Sequence, residues 1–141
     1  MKRPHRFSIE IDYGFTSRIQ YLFHNDNLEV RSRGRLQRLA TPTIMQWSGF
    51  WRLCEFLDLW NWLPEYGECS ARDGEYWKLD IAYDKTKQIH AVGNDRYPSL
   101  EDVKNCSTTQ DRFSLLLHFI DMSFFTTRFD ARDDFADYSE R

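Results

Sequence analysis

Two histidines and one cysteine are the side chains of this sequence best suited to acid–base or nucleophilic chemistry. Cys106 and His118 could form a nucleophile and its general base, and His90 with the nearby Asp95 could form a His–carboxylate base. No local signature surrounds any of them, and isolated residues of these types occur in most chains of this length. The sequence therefore assigns no catalytic set. A small enzyme that uses His90, Cys106 or His118 stays an alternative.

Motifs for cofactors and metals are absent from the sequence. Neither the G-x-x-x-x-G-K nor the G-x-G-x-x-G pattern occurs, and His5 and His24 have no matched ligand spacing. Cys54, Cys69 and Cys106 form no C-x-x-C pair, and their odd number suits no complete disulfide framework. We therefore expect no cofactor, no metal and a location in the reducing cytoplasm.

Positive charge is concentrated near the start of the chain. Residues 1–40 carry eight basic and four acidic side chains, whereas the whole chain has a net charge of −3. Such a cationic run can contact phosphates, but arginines on an edge strand also prevent edge-to-edge aggregation. The overall acidity favours the second interpretation. Nucleic-acid or nucleoprotein contact stays an alternative, and its residues are Arg31, Arg33, Arg35 and Arg38.

All five tryptophans lie between residues 47 and 77. We expect Trp47, Trp77 and either Trp51 or Trp60 to fill the core between a helix and a sheet. Trp62 lies two residues after Trp60, and helical neighbours two apart cannot both point inwards, so Trp62 is predicted to be partly exposed. Exposed aromatic residues are frequent at interaction hot spots. The predicted protein-binding surface consists of Trp62, Tyr66, Asn94 and Tyr97.

Alternating apolar and polar residues predict about five strands. Two of them form a hairpin around Asn25-Asp26-Asn27, and two more form a hairpin around residues 84–87. The predicted strands are 7–15, 19–23, 28–33, 77–83 and 88–92.

Two amphipathic helices complete the predicted elements. Proline suits the first helical position and Thr43-x-x-Gln46 matches a capping box, so the first helix should begin near Thr41-Pro42 or at Thr43. It should end around Trp60 to Leu63, before Pro64. Phe113, Leu116, Leu117 and Ile120 form the apolar stripe of the second helix, with Ser107-x-x-Gln110 as its cap.

Together these elements predict an α+β fold. We expect one domain at 1–125, with an antiparallel sheet of about five strands in the order β-β-β-α-β-β-α and two helices packed on one face. The segment 126–141 is predicted to be an acidic, loosely ordered tail. With 41% hydrophobic and 16% aromatic residues the chain is not disordered, and it has no apolar stretch of roughly 18 residues that could span a membrane.

Three segments resemble a widespread group of small uncharacterised bacterial proteins. They are the aromatic helix end from Trp47 to Tyr66, the Asp73-Gly74-x-x-Trp77 strand and the Gly93-Asn94-x-x-Tyr97-Pro98 element, and the resemblance covers about residues 42–122. The group has no established activity, so the resemblance implies an architecture and a bacterial or phage origin. The segment between Pro98 and Phe113 is longer here than in the group, and the arginine-rich third strand is not part of its pattern.

Aromatic density without a catalytic set favours a non-enzymatic protein–protein interaction domain. The expected partner is another protein, and no membrane association is expected. The roles that suit such a domain are a bacterial immunity protein or a phage-encoded inhibitor of a host defence system, such as an anti-CRISPR.

Overall fold

The computed structural model describes residues 2–13, 17–67, 75–94 and 112–125. Tyr97, Cys106, the predicted cap at 107–110 and the predicted tail at 126–141 lie outside the described residues. The strands are β1 (Arg6–Asp12), β2 (Arg18–His24), β3 (Asn27–Ser32), β4 (Arg35–Ala40), β5 (Glu65–Tyr66), β6 (Tyr76–Ala82) and β7 (Gln88–Asn94), and the helices are α1 (Ile44–Phe56) and α2 (Arg112–Phe124).

The strands form one mixed sheet in the order β4-β3-β2-β1-β6-β7-β5. Every neighbouring pair is antiparallel except β5 and β7, which are parallel. The predicted α+β class is confirmed, but the prediction of about five antiparallel strands is wrong. β4 was missed because five of its six residues are exposed, so it shows no apolar alternation, and β5 has only two residues.

Two tight turns connect β2 to β3 and β3 to β4. Asn25 and Asp26 have φ angles of 52° and 66°, and Arg33 and Gly34 have φ angles of 54° and 79°. Two-residue hairpin loops with positive φ at both positions match the right-handed twist of the flanking strands. Arg33 therefore lies in a turn and not on the third strand, which ends at Ser32.

Helix α1 begins as predicted and ends earlier. The Thr43 hydroxyl accepts a hydrogen bond from the Gln46 backbone N–H at 3.1 Å, and the Gln46 side chain accepts one from the Thr43 N–H at 2.7 Å, which confirms the capping box. The α-helix ends at Phe56, Asp58 is left-handed with φ of 56°, and a 3₁₀ helix follows at Leu59–Asn61. Leu57 and Leu59 would point about 200° apart on a continuous helix, and the left-handed residue between them lets both become fully buried.

Both helices cover the same face of the sheet. The ring of Phe7 on β1 lies 5.7 Å from Trp47 on α1, and the ring of Trp77 on β6 lies 4.7 Å from Phe113 on α2. Phe7 and Trp77 share a face, because Trp77 pairs with a β1 residue four positions after Phe7. The predicted core tryptophans Trp47, Trp77 and Trp51 are buried. The other face, here named the open face, carries Ser8, Glu10, Lys78, Asp80 and His90.

No helix in the described part of the chain is long and apolar enough to cross a membrane.

Candidate functional site

The predicted surface around Trp62 is largely buried. Trp62 is 4% exposed and Asn94 is 8% exposed, so the prediction that Trp62 is partly exposed is wrong. The reason is the left-handed turn before it, which places Trp62 in extended backbone and lets its Nε1–H donate to the Leu57 carbonyl at 2.9 Å. Tyr66 is half-buried, and its hydroxyl accepts a hydrogen bond from the Leu63 N–H at 2.9 Å. Tyr97 lies outside the described residues.

The four arginines do not form one cationic face. Arg31 donates to the Glu29 carboxylate at 2.8 Å on the open face. Arg38 lies on the helix-covered face, where it donates to Asp121 at 3.2 Å and its guanidinium stacks 4.3 Å above the Phe125 ring. The other two, Arg33 and Arg35, lie in the turn and on β4. Because Arg31 and Arg38 are paired with carboxylates on opposite faces, the arrangement does not favour phosphate binding.

The candidate catalytic residues do not converge in the described residues. His90 is exposed on the open face opposite Asp80, whereas His118 is exposed on α2, which packs on the other face. The sheet therefore separates the two histidines, and Cys106 lies outside the described residues. Burial raises the pKa of the Cys54 thiol well above its usual value, so this cysteine stays protonated and is a poor nucleophile.

The described ranges contain no group of three or more His, Cys, Asp or Glu side chains that could hold a metal ion.

A surface pocket with aromatic walls lies where the end of α1 meets the β6–β7 hairpin. Its volume is about 130 Å³. The rings of Trp51 and Trp60 lie 6.1 Å apart and nearly parallel, and Tyr83 meets Trp51 edge to face at 5.0 Å. Trp51 is buried, while Trp60 and Tyr83 are partly exposed. Three charged side chains form the rim: Arg52, Glu55 and Lys87.

Both indole N–H groups of the pocket already have acceptors within the chain. Trp51 Nε1 donates to the Lys2 carbonyl at 2.6 Å, and Trp60 Nε1 donates to Glu55 Oε2 at 2.8 Å. The ammonium group of Lys2 lies 4.9 Å from the centre of the Tyr83 ring. The two indole walls therefore offer their ring faces, and not their N–H groups, to anything that enters the pocket.

The rim has more positive than negative charge. Glu55 Oε2 accepts from the Lys87 ammonium at 3.0 Å, and the hydrogen bonds from Lys87 and Trp60 lower the pKa of this carboxyl group. The same contact raises the pKa of Lys87. Arg52 is exposed, and Lys2 adds a further cation beside Tyr83. Lys87 therefore neutralises Glu55 locally. The carboxylate of Asp84 on the same hairpin interacts with Lys2 and Lys87, so the remaining positive charge of the rim is that of Arg52.

Sequence reasoning missed this pocket. It treated Trp51 and Trp60 only as core residues and did not consider Tyr83 as a binding residue. The nine-residue spacing of the two indoles places both near the end of α1, but Tyr83 and Lys87 belong to a hairpin that follows more than 20 residues later. Only the pairing of β6 with β1 brings that hairpin beside the helix.

Comparisons of the chain with protein families, with curated proteins and with solved structures give no match. Its function must therefore be inferred from its own contacts and charges.

Proposed function

We propose that the protein is a non-enzymatic interaction domain that anchors a partner protein in the pocket formed by Trp51, Trp60 and Tyr83. The observation that carries this proposal is the pocket itself: three aromatic walls, a charged rim with an exposed arginine, and a position at the end of α1. Trp, Tyr and Arg are the residues most enriched in binding hot spots. Hot spots also favour small, well-packed pockets of this kind.

The size of the pocket favours a single side chain of a partner. Pockets for drug-sized ligands have volumes of about 300–1,000 Å³, whereas this one has about 130 Å³. Because both indole N–H groups are already bonded within the chain, the pocket presents mainly aromatic ring surface, which favours an apolar or aromatic side chain. The partner therefore inserts such a residue as its anchor.

The charge around the pocket selects the residues that flank this anchor. Arg52 and Lys87 lie on the rim, Lys2 lies beside the Tyr83 ring, and the carboxylate of Glu55 is already paired with Lys87. A cationic anchor would meet these like charges, whereas carboxylates beside the anchor would complement them. The partner segment is therefore an apolar or aromatic residue in an acidic context.

Within this proposal, the biological role is that of a bacterial immunity protein or a phage-encoded inhibitor of host defence, such as an anti-CRISPR. A role of this kind can be performed by a binding surface that has no reactive centre. We further propose the reducing cytoplasm as its compartment, which agrees with the unpaired thiol of the buried Cys54.

The test is a comparison of Trp60→Ala with a matched aromatic control. Phe56→Ala removes a ring that is 70% exposed at the end of α1, four residues before Trp60, and does not line the pocket. After a partner is captured from the native host by crosslinking and purified, its Kd is measured for the three chains. We expect Trp60→Ala to weaken binding by roughly 30-fold or more, the size of a hot-spot loss. Phe56→Ala should stay within about twofold of the unaltered chain, as for near-neutral contacts.

Equal affinities for the unaltered chain and Trp60→Ala would contradict the pocket as the anchor. Circular dichroism of both variants must match that of the unaltered chain, so that lost folding is not mistaken for lost binding. An Arg52→Ala variant adds a second check, because it should weaken binding by a few-fold and reduce its salt dependence.

Nucleic-acid contact through the arginine-rich β3–β4 hairpin is the second candidate. The observation in its favour is the local cationic excess: four arginines against Glu29. Binding of a DNA or RNA oligonucleotide should then fall steeply with added salt, because phosphate contacts release counterions. An affinity that does not change with salt would remove this candidate.

A further inference from the structure

Strand β4 forms a free edge of the sheet and pairs with β3 on one side only. Five of its six residues are exposed, and Ala40 alone is half-buried. On an edge strand, backbone N–H and C=O groups point outwards and can pair with another extended chain. The opposite edge is β5, which has only two residues. Within the described residues, β4 therefore offers the longer row of unpaired backbone groups.

The side chains of β4 differ in chemistry between the two faces. Leu36 and Leu39 pair with β3 residues of the open face, because a register shift in the β3–β4 ladder places these two residues on one side. They are 49% and 55% exposed. Arg35 and Arg38 instead pair with β3 residues of the helix-covered face. The edge thus presents two leucines on one face and two arginines on the other, and of these arginines Arg38 already donates to Asp121.

We propose that β4 binds an extended acidic segment of a partner protein as an additional strand of the sheet. Main-chain hydrogen bonds supply the affinity in this mode of recognition, and alternate side chains supply the specificity. The added strand would place apolar side chains beside Leu36 and Leu39 and a carboxylate beside Arg35, whereas Arg38 keeps its own carboxylate partner, Asp121. The segment therefore alternates apolar and acidic residues. This site is distinct from the aromatic pocket and does not depend on it.

Charge complementarity selects this occupant over a second copy of the chain. Antiparallel pairing of β4 with β4 would bring arginines of both copies onto the same face of one ladder, and like charges on neighbouring strands repel. Arginines on an edge prevent such self-pairing while they attract carboxylates. A nucleic acid is also less suitable, because it offers no apolar groups to Leu36 and Leu39 and no strand to pair with the exposed edge.

The experiment uses the ¹⁵N-labelled full chain and a capped hexapeptide of alternating Glu and Val as the probe. Two further versions of the peptide carry N-methyl groups on one or the other set of alternate residues. An added strand pairs through one of its two edges. We therefore expect one N-methylated version to lose binding and the other to bind within about twofold of the parent peptide. Amide exchange at residues 35–40 should slow only with the peptides that bind.

Two charge-reversed variants test the partner chemistry. Arg35→Glu should weaken binding of the peptide by roughly fivefold or more, whereas Lys85→Glu makes the same charge change in the distant β6–β7 loop and should leave it unchanged. Trp60→Ala should also bind the peptide normally, which separates failure here from failure of the proposed pocket. The inference is overturned if both N-methylated peptides lose affinity equally. It is also overturned if the amides of β4 are protected from exchange without peptide because the chain self-associates, or if an oligonucleotide protects the same amides.

Discussion

The indole N–H of Trp60 donates a hydrogen bond of 2.8 Å to Oε2 of Glu55, across the left-handed turn that ends α1. The same oxygen accepts from the ammonium group of Lys87 at 3.0 Å. Trp60 is near Glu55 in sequence, but Lys87 is 32 residues away on the β6–β7 hairpin. One carboxylate therefore fixes the orientation of an indole wall of the pocket and joins the helix end to the hairpin.

This contact predicts a pH-dependent effect of Glu55→Gln on stability. Hydrogen bonds from Lys87 and Trp60 lower the pKa of Glu55 in the folded chain below the ordinary value of 4.5. The ionised Glu55 therefore stabilises the fold above pH 4.5, and this stabilisation is lost as the pH falls through the lower pKa of the folded chain. The pKa of Lys87 is raised, so the contribution is also lost as the pH rises through the value of Lys87 in the folded chain. Thermal unfolding should show a small loss for Glu55→Gln near neutral pH and no difference at strongly acidic pH.

The pair is exposed, so salt provides the control for that prediction. Added sodium chloride at about 1 M shortens the Debye length to about 3 Å and should remove most of the difference at neutral pH. A difference in Tm that stays constant across acidic pH and high salt would show that Glu55→Gln acts through packing and not through its charge.

Trp47 and Trp62 are both buried, but within the described part of the chain only Trp62 has a hydrogen-bond acceptor for its indole N–H. Trp62 donates to the Leu57 carbonyl at 2.9 Å, whereas Trp47 Nε1 is buried without a partner among the described residues. Replacement by Phe removes the donor in both cases, and a made hydrogen bond contributes about 1 kcal/mol. We therefore expect Trp62→Phe to lower the free energy of unfolding by about 1 kcal/mol more than Trp47→Phe does.

Urea unfolding of the two Phe variants measures this difference. Trp47→Ala serves as the reference for lost packing, because Trp47 is fully buried and contacts the rings of Phe7 and Phe124. Its expected cost is about 3–5 kcal/mol. A larger loss for Trp47→Phe than for Trp62→Phe would show that packing at Trp47 outweighs the unpaired donor.

Tyr21 joins the sheet to α2 through Asp121. Its hydroxyl donates to Asp121 Oδ1 at 3.2 Å, and Arg38 reaches the same oxygen at 3.2 Å. Burial, followed by the nearby Asp121 charge, raises the pKa of Tyr21 above its ordinary value of 10.0, so the folded phenol stays protonated while the unfolded one ionises. The contribution of the protonated Tyr21 to stability is therefore present below pH 10.0 and is lost as the pH rises above 10.0 towards the higher pKa of the folded chain.

Tyr21→Phe should therefore lower the free energy of unfolding by about 0.5–1.5 kcal/mol near neutral pH. Above about pH 10 the difference between the two chains should shrink, because only the unaltered chain loses stability by ionisation of Tyr21 on unfolding. Urea unfolding at a series of alkaline pH values measures the gap. A gap that widens with pH would contradict the raised pKa.

Gly49 lies in the middle of α1 where the helix faces α2. A Cβ atom at this position would lie 3.4 Å from the Phe119 ring, which is an ordinary contact distance. Glycine inside a helix costs about 0.8–1.0 kcal/mol relative to alanine. Gly49→Ala should therefore raise the free energy of unfolding by about 0.5–1 kcal/mol, measured by urea unfolding. A loss of stability would show that α1 and α2 pack too closely for one more methyl group.

Local sequence patterns determined much of the fold. The alternation of Phe7, Ile9 and Ile11 is sufficient to define β1, and the Thr43–Gln46 capping box is sufficient to begin α1, because both signals lie within a few residues. The apolar stripe of α2 is confirmed for the same reason. An exposed edge strand such as β4 carries no such signal, since neither of its faces needs apolar residues.

Only the tertiary structure decided which tryptophan is buried and where the pocket lies. Helical periodicity continued through residue 62 predicts an exposed Trp62. The burial of both Leu57 and Leu59 instead requires the left-handed Asp58 between them. This turn directs Trp62 inwards and leaves Trp60 partly exposed. The pocket then needs Tyr83 and Lys87, which reach α1 through strand pairing between distant segments. Such contacts depend on the packing of the whole sheet, and periodicity within one segment contains no information about them.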